Sequence, residues 1–286
     1  ELPGYLSMTL SYDVNTGNAA PYSALTIVST AAWGLGYFGM PHILLRFMAI
    51  EDEKKLKLSR RVATIWVVIS LFVAVFIGVI GYTMSKVGAL EMLTGSNSET
   101  IIVKISALLS QHGVIFALLA GVILAGILAS TMSTSDSQLL AASSAVSSDI
   151  LGAFRKDSSN KNGSMAAARI TLLVISVVAA FIARNPDSSV FAIVSFAWAG
   201  FGAAFGPVVL FSLFWKRTNK WGALAGMVCG GSMVFIWKYL IRPLGGIWNI
   251  YELLPAFLIA CAAIVIVSLL TPKPSKEIEE EFDRVA

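Results

Sequence analysis

Apolar stretches of about 20 residues, the length needed to cross the hydrocarbon core of a bilayer, recur along the chain between short polar loops. Their limits predict seven transmembrane helices, over residues 22–47, 62–84, 114–148, 166–182, 190–215, 221–240 and 253–270. Residues 1–20 are polar and turn-rich, with Pro3, Gly4, Asn15, Gly17 and Asn18. Polar loops are expected at 51–61, 87–98 and 152–163, and Asn185, Pro186 and Asp187 make a tight turn. Ser96 starts a capping box with Glu99 at the third helical position. The residues that follow it, Ile101, Ile105, Leu108 and Leu109, share one face, so this short helix is expected to lie along the membrane surface. The tail from Pro272 is charged, and Glu277 to Glu281 read as the solvated start of a helix. The fold class is therefore an all-α polytopic membrane protein.

Three stretches depart from a plain apolar run. In the third, Ser130, Ser133, Thr134, Ser137, Ser144 and Ser148 recur at helical spacing and form one polar stripe. A bilayer offers no water to such groups, so the stripe faces protein, a cavity or an ion. Small hydroxyl residues also let helices pack closely, and the stripe alone does not separate the two readings. The first stretch contains Trp33-Gly34-Leu35-Gly36-Tyr37-Phe38-Gly39-Met40-Pro41-His42. Glycines disfavour a continuous helix, and Pro41 has no N–H for the carbonyl of Tyr37. A broken or strongly kinked helix with free carbonyls is expected there, a form of backbone that transporters use at their binding sites. A purely structural kink is the other reading; Trp33 and Tyr37, one turn apart beside the break, favour the first. The fifth stretch carries Trp198, Gly200, Gly202, Gly206 and Pro207, and small residues at 199, 202, 203 and 206 predict close helix packing more than ligand contact.

Composition supports the membrane assignment. Hydrophobic residues make up 56% of the 286-residue chain and charged residues only 13%, against roughly 25% in soluble domains; mean hydropathy is +0.77. The net charge of +4 is then no sign of nucleic-acid binding, because the basic residues lie in loops. Sixteen of the 21 fall on one side: Arg46, Lys54, Lys55, Lys57, Arg60, Arg61, Arg155, Lys156, Lys161, Arg169, Lys216, Arg217, Lys220, Lys273, Lys276 and Arg284. The positive-inside rule makes that side cytoplasmic, with Glu1 outside and Ala286 inside. Trp215, Trp221, Trp248 and Tyr251 are expected as interfacial anchors. Cys229 and Cys261 read as small buried residues without a redox role, and His42 and His112 as packed or interfacial side chains rather than metal ligands. The chain starts at Glu1 rather than Met and is expected to be part of a longer protein.

The stretches WGLGYFGMPH, LASTMSTSDSQLL and AWAGFGAAFGPVVLF, in that order, resemble the sodium:solute symporters. The resemblance implies the second half of an inverted-repeat core of five plus five helices, followed by two peripheral helices. It implies sodium-coupled uptake of a small solute, with L-proline as the expected cargo, by a multi-pass protein of the cell's inner (plasma) membrane. It also implies that sodium is held by the backbone carbonyl of Ser130 and the hydroxyls of Ser133 and Thr134. The solute would lie against Trp33, Gly36, Tyr37 and Pro41. The family's other sodium ligands lie on a first core helix that no stretch here matches, so the partner implied is the N-terminal half of the same transporter.

Neutral oxygens suit a monovalent ion that must be released in each cycle, whereas calcium sites recruit several carboxylates. Asp136, on the flank of the stripe, reads as water-exposed or paired with a loop arginine rather than as a proton carrier. A proton-coupled amino-acid carrier of similar architecture and a sodium symporter for another small organic solute stay open. A channel would need a continuous polar pore. An enzyme would need a nucleophile–base pair or metal ligands within the spans, and the sequence offers none.

Overall fold

The computed structural model describes residues 3–4, 7–13, 16–150, 161–184 and 189–285. Helices dominate, because an apolar chain in lipid must satisfy its backbone polar groups within each segment. Among the described residues six helices are long and apolar enough to cross a membrane. The departure from an all-α chain is a hairpin. Strands β1 (Leu10–Asp13) and β2 (Asn18–Pro21) pair antiparallel, with Leu10 opposite Pro21 and Asp13 opposite Asn18. Gly17, at φ +68°, takes the left-handed turn position that costs glycine little. Strands of four residues are too short for their alternation to stand out from a polar, turn-rich sequence.

The chain divides into two compact units, Glu1–Leu44 with Val194–Ala286, and Leu45–Ile193. The first unit begins with the hairpin and then helix α1 (Ala24–Ala31), whose N-terminus Ser23 caps through Thr26 N–H. A 3-10 segment (Ala32–Gly39) follows, and helix α2 (Pro41–Met48) restarts the chain after Met40, which is extended at φ −83°, ψ 112°. The break expected near Pro41 is therefore two helical pieces joined by a tighter coil. Helices α7 (Val190–Phe214), α8 (Lys220–Ile236), α9 (Leu253–Leu270) and α10 (Lys276–Val285) complete the helical set, all but the start of α7 lying in this unit. The core is built from Ala32, Ala199, Ala203, Val234, Tyr251, Leu253, Ala256 and Phe257.

Small residues set how closely these helices meet. Ala199, Gly202, Ala203 and Gly206 are buried, as their spacing predicts. A Cβ on Gly202 would stand 2.7 Å from the Gly36 Cα, and one on Gly39 would overlap the Phe201 carbonyl oxygen. On α8, Gly222, Gly226 and Gly230 recur every four residues and are all buried. A Cβ on Gly222 would overlap Ser268 Oγ of α9, and one on Gly226 would overlap Ile264. Backbone approach of this kind is how membrane helices gain dispersion contacts without a hydrophobic driving force. Cys229 and Cys261, expected to be buried, are only half-buried, because each sits beside the small-residue seam rather than on it.

Polar anchors hold the ends of α8 and α9. Asn219 Oδ1 accepts from Gly222 N–H at 2.9 Å, while its Nδ2 donates to Thr271 Oγ1 and the Pro272 carbonyl at 2.7 and 2.8 Å. Lys216 pairs with Asp283 of α10, and that hydrogen bond pushes the lysine above its usual range.

The second unit holds α3 (Leu56–Lys86), α4 (Ile101–Leu109), α5 (Val114–Ser144) and α6 (Lys161–Ile182). The face of α4 predicted from its sequence meets protein, for a Cβ on Gly81 of α3 would overlap Ile101. The predicted capping box does not form. Glu99 instead accepts from Ser189 Oγ at 2.6 Å, Val190 N–H at 3.0 Å and Phe191 N–H at 3.4 Å, so it caps α7 ninety residues away. Unsatisfied N–H groups and the positive end of the dipole make a helix start a good place for a carboxylate. The Ser189 hydrogen bond leads in holding the Glu99 carboxyl below the usual glutamate range. Helix α5 loosens into a π-helix at Ala145–Ile150, and Ser143 Oγ donates to the Ala168 carbonyl of α6 at 2.8 Å. The turn expected at 185–187 lies outside the described residues, as does most of the 152–163 loop.

Candidate functional site

The broken segment gathers an aromatic stack within the first unit. Pro41 cannot supply an N–H, and the 3-10 turn leaves carbonyls without α-helical partners. The Trp198 indole, on α7, answers one of them: its Nε1 donates to the Trp33 carbonyl at 3.0 Å. Trp33 stacks with two rings, Trp198 at a centroid distance of 5.5 Å and Tyr251 at 5.9 Å, each 15° from parallel. Tyr37 meets Trp198 edge-on at 4.8 Å. A side chain thus takes the Trp33 carbonyl, four residues before the Tyr37 carbonyl that Pro41 was expected to leave free.

Trp33, Gly36 and Tyr37 of the expected solute wall all touch or underlie Trp198. Gly36 is buried, and a Cβ there would overlap the Trp198 indole. Tyr37 is 51% exposed, and Pro41 is exposed at the start of α2. The stack therefore has a packed end at Tyr251 and an open end at Tyr37.

Tyr251 departs from its expected role as an interfacial anchor. It is 9% exposed, its hydroxyl donates to the Ser195 carbonyl at 2.6 Å, and its N–H donates to Ser29 Oγ at 3.1 Å. Burial first, and the Glu252 carboxylate second, push the phenol above its usual range, so it stays a neutral donor. Glu252 is 1% exposed. Arg242 Nη1 donates to its Oε2 at 2.8 Å and Lys238 stands 4.0 Å from its Oε1, while Lys238 also sits 3.8 Å above the Phe196 ring. Glu252 is the buried member, whereas Arg242 keeps part of its side chain in solvent, so the pairing matters most for satisfying the carboxylate. Sequence reading missed this cluster, although two bases four residues apart ahead of an acid that opens an apolar run signal it. It also missed Trp198 as the partner of Trp33, although Ala-Trp-Gly and Ala-Trp-Ala-Gly in the two stretches hint at matched roles.

The expected ion ligands lie on α5, in the second unit. Ser130, Ser133, Thr134 and Ser137 are all exposed on a regular helix. Thr134 Oγ1 donates to the Ser130 carbonyl at 3.2 Å, and Ser137 Oγ to the Ser133 carbonyl at 3.0 Å. Each such hydroxyl spends its proton within the helix and keeps its oxygen lone pairs outward. The hydroxyls packed against protein are others: Ser143 and Ser147 are buried one turn apart, off the predicted stripe, whereas Ser144 is exposed. Asp136 is exposed as well, and the side chain of Ser148 lies outside the described residues.

Residues 7–230 match the model of the sodium:solute symporter family. The chain is similar to a sodium/proline symporter of Haemophilus influenzae, 41% identical over 262 residues, which are 91% of this chain and 51% of that protein. It is similar to an osmoregulated proline transporter of Bacillus subtilis, 39% identical over 254 residues, 89% of this chain and 50% of that one. The sodium/proline symporter of Escherichia coli is 39% identical over 259 residues, 90% of this chain and 50% of its own length. The chain thus spans about half the length of the curated relatives it matches. No solved structure matches it.

Proposed function

Since the chain belongs to the sodium:solute symporter family, a family of transporters and not of enzymes, we propose that it serves sodium-coupled uptake of a small solute, L-proline, by alternating access. The observation that carries this reading is the similarity, over about nine-tenths of this chain, to proteins named sodium/proline symporters. In this reading the two helical pieces around the 3-10 segment make one crossing. With the six longer helices, that gives seven crossings, the start of the chain outside and its end cytoplasmic. The first five crossings form the second repeat of a five-plus-five core, the last two are peripheral, and the protein resides in the plasma membrane.

The solute sits against Trp33, Tyr37 and Pro41 with Gly36 between them. Support comes from the open end of the stack, where the half-exposed Tyr37 ring presents an apolar face that a pyrrolidine ring can cover. Sodium is held by the Ser130 carbonyl and the Ser133 and Thr134 hydroxyls, together with oxygens from the part of the relatives' length that this chain does not span. The exposure of both hydroxyls and the back-bond of Thr134, which leaves its lone pairs free, favour that role.

The test is counterflow and uptake of labelled proline in liposomes holding the complete protein that contains these residues. Accumulation should require a sodium gradient at constant pH and saturate with proline. Accumulation that persists when potassium replaces sodium and follows a proton gradient instead would overturn the sodium assignment.

A further inference from the structure

We propose that Tyr251 is a positioning residue for solute binding, acting through Trp33; the inference rests on the reading of Trp33 as part of the solute wall. Trp33 belongs to a non-α segment, whose backbone is held less firmly than a helix, so the orientation of its ring depends on what flanks it. One flank is Trp198, tied to the Trp33 carbonyl through Nε1 at 3.0 Å. The other is Tyr251, stacked 15° from parallel at 5.9 Å.

Tyr251 does not take its own position from Trp33. Its hydroxyl is tethered to the Ser195 carbonyl of α7 at 2.6 Å and its N–H to Ser29 of α1 at 3.1 Å. The next residue, Glu252, is 1% exposed and fixed by Arg242 at 2.8 Å, which pins the start of α9. A residue that only filled apolar space would need neither tether. The rings then run Tyr251, Trp33, Trp198, Tyr37, from the fixed end to the open end. Loss of the fixed end frees Trp33 to tilt and displaces the wall that the solute meets, without removing any group that touches it.

Proline transport by the complete protein, with Tyr251→Phe, Tyr251→Leu, Tyr251→Ala, Trp33→Ala and the Trp33→Ala/Tyr251→Ala double variant, tests this. Rates are normalised to protein in the membrane. Tyr251→Ala should raise KM for proline roughly three- to tenfold, the scale of one aromatic stack, with Vmax per transporter nearly kept. Tyr251→Leu keeps the bulk without the ring and should resemble Ala, which covers the case in which Ala fails to fold. Tyr251→Phe keeps the ring but loses the hydroxyl tether to the Ser195 carbonyl, so its KM should lie between those of the wild type and Tyr251→Leu. In the double variant, KM should be no higher than in Trp33→Ala alone, because both substitutions break one pathway. If Trp33→Ala raises KM but the Tyr251 variants leave it unchanged, or add their full effect in the double variant, this proposal falls and the solute wall stands. If Trp33→Ala itself leaves KM unchanged, the solute wall falls and this proposal with it.

Discussion

Alanine at Gly36 and at Gly34 should have opposite effects, although the two glycines are two residues apart in one 3-10 segment. A methyl on Gly34 meets nothing within 4 Å, whereas one on Gly36 would overlap the Trp198 indole at Nε1 and Cδ1. Trp198 cannot yield by a small shift, since it is held by its bond to the Trp33 carbonyl and by rings on two sides. Swinging it out forfeits a hydrogen bond, about 1 kcal/mol, and one or two aromatic contacts at about 0.5–1.5 kcal/mol each. Alanine returns about 0.5–1 kcal/mol of chain entropy at either site. The net expectation is a loss of about 1–3 kcal/mol for Gly36→Ala and a neutral or slightly stabilising Gly34→Ala. The assay is thermal or denaturant unfolding in detergent, followed by tryptophan emission, with proline KM measured beside it. Equal stability of the two variants would refute the packing argument. A Gly36→Ala protein of normal stability that has lost proline affinity would assign Gly36 to direct solute contact instead.

The ion site makes a second prediction: Ser133→Ala and Thr134→Ala should each weaken apparent sodium affinity by about one to two decades, the scale of an oxygen lost from a desolvated ion at about 1–3 kcal/mol. High sodium should partly restore their proline affinity by linkage, while Ser144→Ala should leave the sodium curve in place; an equal shift for Ser144→Ala would make the stripe a packing seam. Third, Glu99→Ala should speed amide exchange at Val190 and Phe191, which lose their acceptor; unchanged protection would refute the cap. Because folding lowers the Glu99 carboxyl's pKa, its contribution is present above the ordinary glutamate value, about 4.3, and is lost as the pH falls through the folded value. The wild-type protection factors should therefore hold between pH 7 and 5. Fourth, a polypeptide of residues 1–286 alone should show no sodium-dependent proline binding in equilibrium dialysis, since its expected sodium ligands are all on α5.

Much of this was legible because it depends on local chemistry. Gly34, Gly36, Gly39 and Pro41 together disfavour an α-helix, and the break stands where they are, although α7 runs unbroken through Gly200, Gly202, Gly206 and Pro207. Positions 199, 202, 203 and 206 carry side chains small enough for close approach, and all four are buried. What was not legible depends on partners far along the chain. A capping box is a local pattern, so Ser96 and Glu99 suggested one, yet the Glu99 carboxylate finds its donors at the start of α7. An aromatic near the end of an apolar run usually marks the membrane interface. Tyr251 instead faces inward, because Ser195 and Ser29 offer its polar atoms partners and Trp33 offers its ring a stack.

Hydroxyls among the described residues differ in what becomes of their oxygens, and the exposed ones on α5 suit the sodium proposed there. Ser106 and Ser143 are buried and donate to carbonyls, Ser106 within its own helix and Ser143 across to α6. A buried hydroxyl without a partner costs about 1–3 kcal/mol, and Ser268 Oγ, in the seam between α8 and α9, has none among the described residues. Thr131, Thr134 and Ser137 donate to the carbonyl four residues back, yet all three are exposed. Their protons are already satisfied, so what they offer a neighbour is acceptor capacity alone. A second helix that offers only carbonyl oxygens would gain little from such a surface. A cation gains from every one of those lone pairs. The carbonyl of Ser130 is already partly engaged by Thr134, so an ion bound there competes with that 3.2 Å contact, the longest of the three back-bonds. The longest of these back-bonds thus joins two of the three residues expected to hold sodium, and it is the one that yields at least cost.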